Sequence, residues 1–213
     1  AKKVSINIPK LKDCKYHLGQ STVHAEECEA SMIFLTEGDS ASGTITKTRD
    51  VKTQAVFSLR GKIQNVEGMK RTIIYKNEEL YNMMVALGIE NGIEGLRYGK
   101  VVIATDADND GFHIRNLLMT YFLTFFEDLV TSGRLYILET PLFRVRNKST
   151  VRYCYSEAER DQATKDIRGS EVTRFKGLGE IDPKEFGAFI GPEIKLVPVT
   201  VPAMNTMAKT MRF

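Results

Sequence analysis

The apolar positions of this chain fall into short solid runs, separated by stretches where they recur every third or fourth residue. The run SMIFLTEG, residues 31–38, stays apolar until Glu37 and Gly38 and predicts a buried strand closed by a turn. DSASGTITKTR follows and predicts a helix with Asp39 or Ser40 as its N-cap. AVFSLRGK is a second strand candidate. In NEELYNMMVALG, residues 77–88, Leu80, Met83, Met84 and Leu87 form one stripe, glutamates fill the first turn, and Gly88 stops the helix. KVVIATDAD, residues 100–108, is an almost wholly apolar strand of the kind covered on both faces, with aspartates at its carboxyl end. FHIRNLLMTYFLTFFEDLVTSG predicts one long amphipathic helix ending at Gly133. RLYILETPLFRVR gives two strands broken at Pro141, and RYCYS, residues 152–156, pairs with FRVR as a hairpin over NKST. A helix from Ser156, a glycine-rich turn in RFKGLGE, and a short helix after Asp182 complete the ordered part. Residues 1–30 read as polar and irregular, and residues 68–76 and 91–96 as loops.

Strands alternating with helices predict an α/β fold with a mainly parallel sheet. Ligands of such sheets sit beyond the carboxyl ends of the strands, where both Glu37 and Asp106 fall. A length of 213 residues suits one domain, or one domain with an appendage. Hydrophobic content of 42% and charged content of 27% are those of an ordinary globular protein. A net charge of +3 permits nucleic-acid binding without arguing for it. Three cysteines, Cys14, Cys28 and Cys154, imply no disulfide framework and point to a reducing, cytoplasmic compartment. No signal peptide opens the chain and no apolar run is long enough for a membrane span. Ala1 stands where Met would open a gene product, and AMNTMAKTMRF sets Met204, Met207, Ala208 and Met211 on one helical face that ends uncapped. Both ends predict a piece of a longer protein.

The chemistry centres on Asp106, Asp108 and Asp110, followed by Gly111. They match the opening of a calcium-binding EF-hand loop, but its closing glutamate position holds Leu117 and a strand precedes it. An aspartyl-phosphate enzyme of haloacid-dehalogenase type places Thr or Val where Asp110 stands. GDSAS lacks the second glycine of a nucleophile elbow. Cys14, His17, His24 and Cys28 do not have zinc-finger spacing and read as unligated loop residues. Two carboxylates about 4 Å apart repel by roughly 1 kcal/mol in water and several-fold more near a protein interior. Three of them after a buried strand therefore read as a site. With Glu37 on a neighbouring strand, four oxygen donors converge, a hard set suited to magnesium or manganese and to phosphodiester chemistry.

TEGDSASG (36–43), LRGKIQNV (59–66), TDADNDGFHIR (105–115), TPLFRV (140–145) and RFKGLGE (174–180) occur in this order. Together they resemble the Toprim domain and C-terminal tail of the B subunit of bacterial type IIA topoisomerases, over most of the chain. TEGDSASG and QAVFSLRGK lean to the topoisomerase IV branch rather than gyrase. A stand-alone Toprim nuclease or primase-like enzyme would share the acids without needing RFKGLGE and LRGK together. The resemblance implies a Toprim (Rossmann-like) sheet over residues 31–146, a lead-in at 1–30, and a tail subdomain at 147–213. It makes Glu37 a metal ligand and the catalytic acid/base, Asp106 and Asp108 metal ligands, and Asp110 an outer ligand. Lys62, Arg60, His113, Arg115, Arg174 and Lys176 become DNA-phosphate contacts. The implied cofactor is Mg2+, with Mn2+ or Ca2+ as substitutes, while ATP belongs to a domain N-terminal to this stretch. The implied partners are double-stranded DNA and an A subunit that supplies the nucleophilic tyrosine, in an A2B2 heterotetramer with no membrane association.

Overall fold

The computed structural model describes residues 8–201, so the methionine face at 204–211 lies outside the described residues. Six strands form the main sheet: β1 (Leu11–Lys12), β2 (Met32–Glu37), β3 (Gln54–Leu59), β4 (Lys100–Ala104), β5 (Leu135–Leu138) and β9 (Leu196–Pro198), in the order β1-β3-β2-β4-β5-β9. The four inner strands are parallel, and the short outer strands β1 and β9 run antiparallel to them. A second, antiparallel sheet has the order β7-β6-β8, from β6 (Phe143–Arg146), β7 (Val151–Cys154) and β8 (Glu171–Arg174).

The alternation within the strands sets the two layers. Ile33, Leu35, Phe57, Val101 and Ile103 point to one face, against α3 (Glu78–Leu87), α4 (Asn109–Phe125) and α5 (Glu127–Thr131). Met32, Phe34, Val56, Val102 and Ala104 point to the other, against α2 (Gly38–Thr48) and α7 (Pro183–Phe189). The stripe Leu80, Met83, Met84 and Leu87 is fully buried, Asn77 caps α3 by accepting the Leu80 N–H at 3.1 Å, and Gly88 ends it. The small sheet and α6 (Glu157–Asp166) enclose a separate cluster of Phe143, Val145, Cys154, Ala163 and Ile167.

Four local expectations are corrected. Helix α2 starts at Gly38 with Glu37 as the N-cap residue, not Asp39 or Ser40. The expected single helix to Gly133 breaks at Phe126, whose ring leaves the helical path and packs 5.3 Å from Tyr121. The irregular lead-in contains β1 and α1 (Ala25–Glu29). The segments expected as loops hold 3-10 turns at Arg71–Lys76 and Ile93–Gly95.

The zinc-like spacing resolves into separate contacts. Asp13, Cys14 and His17 bring their ligand atoms within 4.8 Å of one another. The cation beside them is Arg97, ion-paired to Asp13 and 2.9 Å from His17 Nε2. Burial pushes the Cys14 thiol up to about 12, and its Sγ donates to the Tyr16 carbonyl. His24 instead faces Glu27.

Phe34 sits at the centre of β2 with no exposure. Phe34→Ala is expected to cost about 3–5 kcal/mol and lower the urea midpoint by roughly 2 M. A drop below about 0.5 M would show that β2 does not organise this core.

Candidate metal and phosphate site

Strand register brings the acids together. Thr36 of β2 lies opposite Ala104 of β4, so Glu37 and the segment carrying Asp106 leave the sheet side by side. Glu37 also lies opposite Leu59 of β3, which places Arg60, Gly61 and Lys62 at the same end. Gly38, at φ 71°, turns the chain from β2 into α2, and its carbonyl accepts the Ser58 hydroxyl at 3.1 Å. A cleft of about 380 Å³ opens there, bordered by Glu37, Asp106, Asp108, Lys176, Gly179 and Glu180.

Each aspartate has its own local partner. Asp106 Oδ1 accepts the Leu178 N–H at 2.7 Å, and Asp108 Oδ1 caps α4 by accepting the Gly111 N–H at 2.7 Å. Asp110 Oδ1 lies 2.8 Å from Lys62 Nζ in an exposed ion pair. Glu37 has no hydrogen-bond or ion-pair partner among the described residues and stands half-buried. Burial first, then repulsion from Asp106, Asp110 and Asp108, raises its carboxyl above the ordinary range. Burial likewise raises Asp106, opposed by the Leu178 N–H and reinforced by Asp108 and Glu180. Lys62 holds Asp110 below its ordinary value. Glu37, Asp106 and Asp108 share the cleft, while Asp110 turns to Lys62 at its rim.

Of the expected phosphate contacts, Lys176 borders the cleft and Lys62 is ion-paired to Asp110. His113 is exposed on α4. Arg60 is exposed, and its backbone N–H donates to Glu79 at 3.0 Å. Arg174 lies on β8 with its guanidinium 6.0 Å from the Phe143 ring centre, and it does not border the cleft. Arg115 borders a different pocket, which it shares with Asp106 and Asp108. Sequence reasoning missed Glu180, whose Oε2 accepts the Lys176 N–H at 2.9 Å and shapes the turn that meets Asp106. The signal was present as the last residue of RFKGLGE. That turn passes so close that a Cβ on Gly177 would lie 2.9 Å from Asp106 Oδ2.

Fold and cleft define an α/β protein that gathers carboxylates at the carboxyl ends of adjacent parallel strands. The Toprim domain family matches residues 32–140, about half of the chain. The chain belongs to the Toprim family. It is 65% identical over 201 residues to the B subunit of DNA topoisomerase 4 from Borreliella burgdorferi, covering 93% of this chain and 33% of that protein. It is 42% identical over 186 residues to the B subunit of DNA gyrase from Thermus thermophilus, covering 83% of this chain and 28% of that protein. The DNA-binding, cleavage and re-ligation domain of Plasmodium falciparum topoisomerase II superposes with a TM-score of 0.73 at 28% identity, covering 89% of this chain and 27% of that one. The chain thus spans about a third of the length of the curated relatives it matches. No helix among the described residues is long and apolar enough to cross a membrane.

Two outcomes follow from the electrostatics. Because the folded Glu37 carboxyl titrates above its unfolded value, its ionisation destabilises the fold as pH rises from the ordinary carboxylate range through the raised value. In metal-free buffer, the stability of Glu37→Gln relative to wild type is expected to grow as pH rises through that window, read by urea midpoints. A constant difference would show that Glu37 is not frustrated. A divalent cation that binds this cleft, supplied at ten times its Kd, should add about 1.4 kcal/mol and raise Tm by roughly 3–6 °C. Glu37→Gln and Gly177→Ala should each lose most of that gain. An equal cation-induced shift in both variants would remove this cleft as the cation site.

Proposed function

We propose that this chain is the metal-binding, DNA-cleaving portion of the B subunit of a type IIA DNA topoisomerase, of the topoisomerase IV kind. The observation that carries the reading is one cleft shared by Glu37, Asp106 and Asp108. Its setting in a Toprim domain, in a chain 65% identical to a topoisomerase 4 B subunit over 201 residues, favours that branch over gyrase.

The donor set fits a divalent cation of the magnesium class. It consists of carboxylate oxygens with no soft ligand among the cleft acids, and repulsion among those acids leaves Glu37 frustrated until positive charge arrives. Glu37, Asp106 and Asp108 would hold it, with Mn2+ or Ca2+ as substitutes of the same oxygen preference. When bound, such a cation supplies positive charge to the phosphate and to the leaving oxygen.

The nucleophile lies on another chain, a tyrosine of the topoisomerase A subunit. Its hydroxyl gives up its proton to solvent as its oxygen bonds to a DNA phosphorus, the bond to the 3′-oxygen breaks, and a 5′-phosphotyrosyl link forms. Glu37, when its carboxyl is protonated and off the cation, gives the proton that the 3′-oxygen needs and takes it back on resealing. Lys62 and Lys176 contact phosphates at the cleft, with Arg60, His113 and Arg174 on exposed surface for outer phosphates. In this reading ATP is used by a domain outside this chain, and two B and two A subunits act together on double-stranded DNA in the bacterial cytoplasm.

The test mixes the chain with the A subunit, plasmid DNA and magnesium, then denatures the mixture and counts covalent protein–DNA complexes. Glu37→Ala and Asp108→Ala are expected to reduce them by about 100-fold or more. Unchanged cleavage by both variants would sink the assignment of the acids. Cleavage by the chain without an A subunit would replace it with a stand-alone nuclease.

A further inference from the structure

Asp106 differs from Asp108 in what holds it. Asp108 is held by the start of its own helix, where its Oδ1 accepts the Gly111 N–H. Asp106 Oδ1 instead accepts the Leu178 N–H, from a residue 72 positions further along the chain. The way Asp106 presents its oxygens therefore depends on the turn at 175–181.

Between its ends, little main-chain bonding keeps that turn in shape. The Glu180 N–H donates to the Gly177 carbonyl at 3.1 Å, and the Ile181 N–H to the Leu178 carbonyl at 3.4 Å. Neither bond reaches back to Lys176. Gly177 and Gly179 sit where side chains do not fit, since a Cβ on Gly177 would crowd Asp106 and one on Gly179 would overlap Ser40 Oγ of α2. The same two glycines leave the backbone free to spread. The Lys176 N–H is met by Glu180 Oε2 at 2.9 Å, so a side chain closes the span that the backbone leaves open. Glu180 is exposed, and such a bond adds little to global stability. Its effect is local. The turn it closes is packed between α2 and Asp106 with no spare room, so a change in its shape is felt at the carboxylate.

We propose that Glu180 is a positioning residue for the cation site: by accepting the Lys176 N–H it keeps the turn shut and the Leu178 N–H on Asp106, and so fixes the carboxylate that a divalent cation uses. The inference rests on the reading of the cleft as the cation site. Groups that hydrogen-bond a metal ligand orient it, and losing one typically weakens metal binding roughly 10- to 100-fold. A cap and a source of charge make opposite demands on residue 180. Glutamine keeps an oxygen that accepts an N–H but carries no charge, so it serves as a cap and fails as a charge.

The experiment compares the isotope-labelled wild type, Glu180→Gln and Glu180→Ala by backbone amide shifts, first in metal-free buffer and then during a Mg2+ titration. Without metal, the Leu178 amide is expected to move in Glu180→Ala and to stay near its wild-type position in Glu180→Gln. With Mg2+, Glu180→Ala is expected to bind about tenfold more weakly and Glu180→Gln to stay close to wild type. Wild-type Mg2+ affinity in Glu180→Ala would overturn the proposal and leave Glu180 a local cap. Equal weakening in both variants would also overturn it and make Glu180 a source of charge. A wild-type chain that binds no Mg2+ would sink the reading of the cleft itself, an outcome distinct from either of these because it needs no variant.

Discussion

Like charge held at the edge of a buried sheet is the constraint around which this molecule is arranged. The pairing of β2 with β4 delivers Glu37 and Asp106 to the same place, and neither can withdraw without disturbing a strand whose residues are almost all fully buried. The sheet's own packing therefore sustains the repulsion that raises both carboxyls. Cores of this kind supply far more free energy than two unfavourable carboxylates consume.

The second sheet and α7 hold the other wall of that cleft. The Phe175 N–H donates to the Leu142 carbonyl at 2.9 Å, which anchors the start of the glycine-rich turn to the small sheet. Past the turn, Asp182 caps α7 by accepting the Lys184 N–H at 2.8 Å, and Glu185 on that helix pairs with Arg144 of β6 at 2.6 and 2.9 Å. The turn is thus tied at both ends, and only its middle, Gly177 and Leu178, meets Asp106. One largely buried guanidinium nitrogen, Nη1 of Arg144, donates to both Glu185 oxygens and ties α7 to the small sheet.

Much of the fold was legible because the signals were local. The solid run before Glu37, the stripe in α3 with its Asn77 cap and Gly88 stop, and the hairpin between β6 and β7 each follow from neighbours along the chain. The misses share the opposite character. The break at Phe126 has no glycine or proline to announce it and arises from rings gathering on Tyr121. Strands β1, β8 and β9 are two to four residues long, too short for a period to show, and exist because a partner strand offers them hydrogen bonds. The cap at Glu37 was missed because a strand-end carboxylate and a helix N-cap residue are the same residue here.

The acids themselves, their order, and the strands that carry them are properties of the sequence, because residue type and period-two burial are written locally. Which acids face one cleft is not. Asp108 and Asp110 are two residues apart at the start of α4, yet the helix turn sends one to the shared cleft and the other to Lys62. Glu180 enters the site from far along the chain, and Arg115 borders a second pocket with Asp106 and Asp108 rather than the cleft that holds Glu37. These assignments depend on the crossing of β4 between β2 and β5 and on the turn tied between β8 and α7. They are long-range contacts whose geometry no single stretch of the chain encodes.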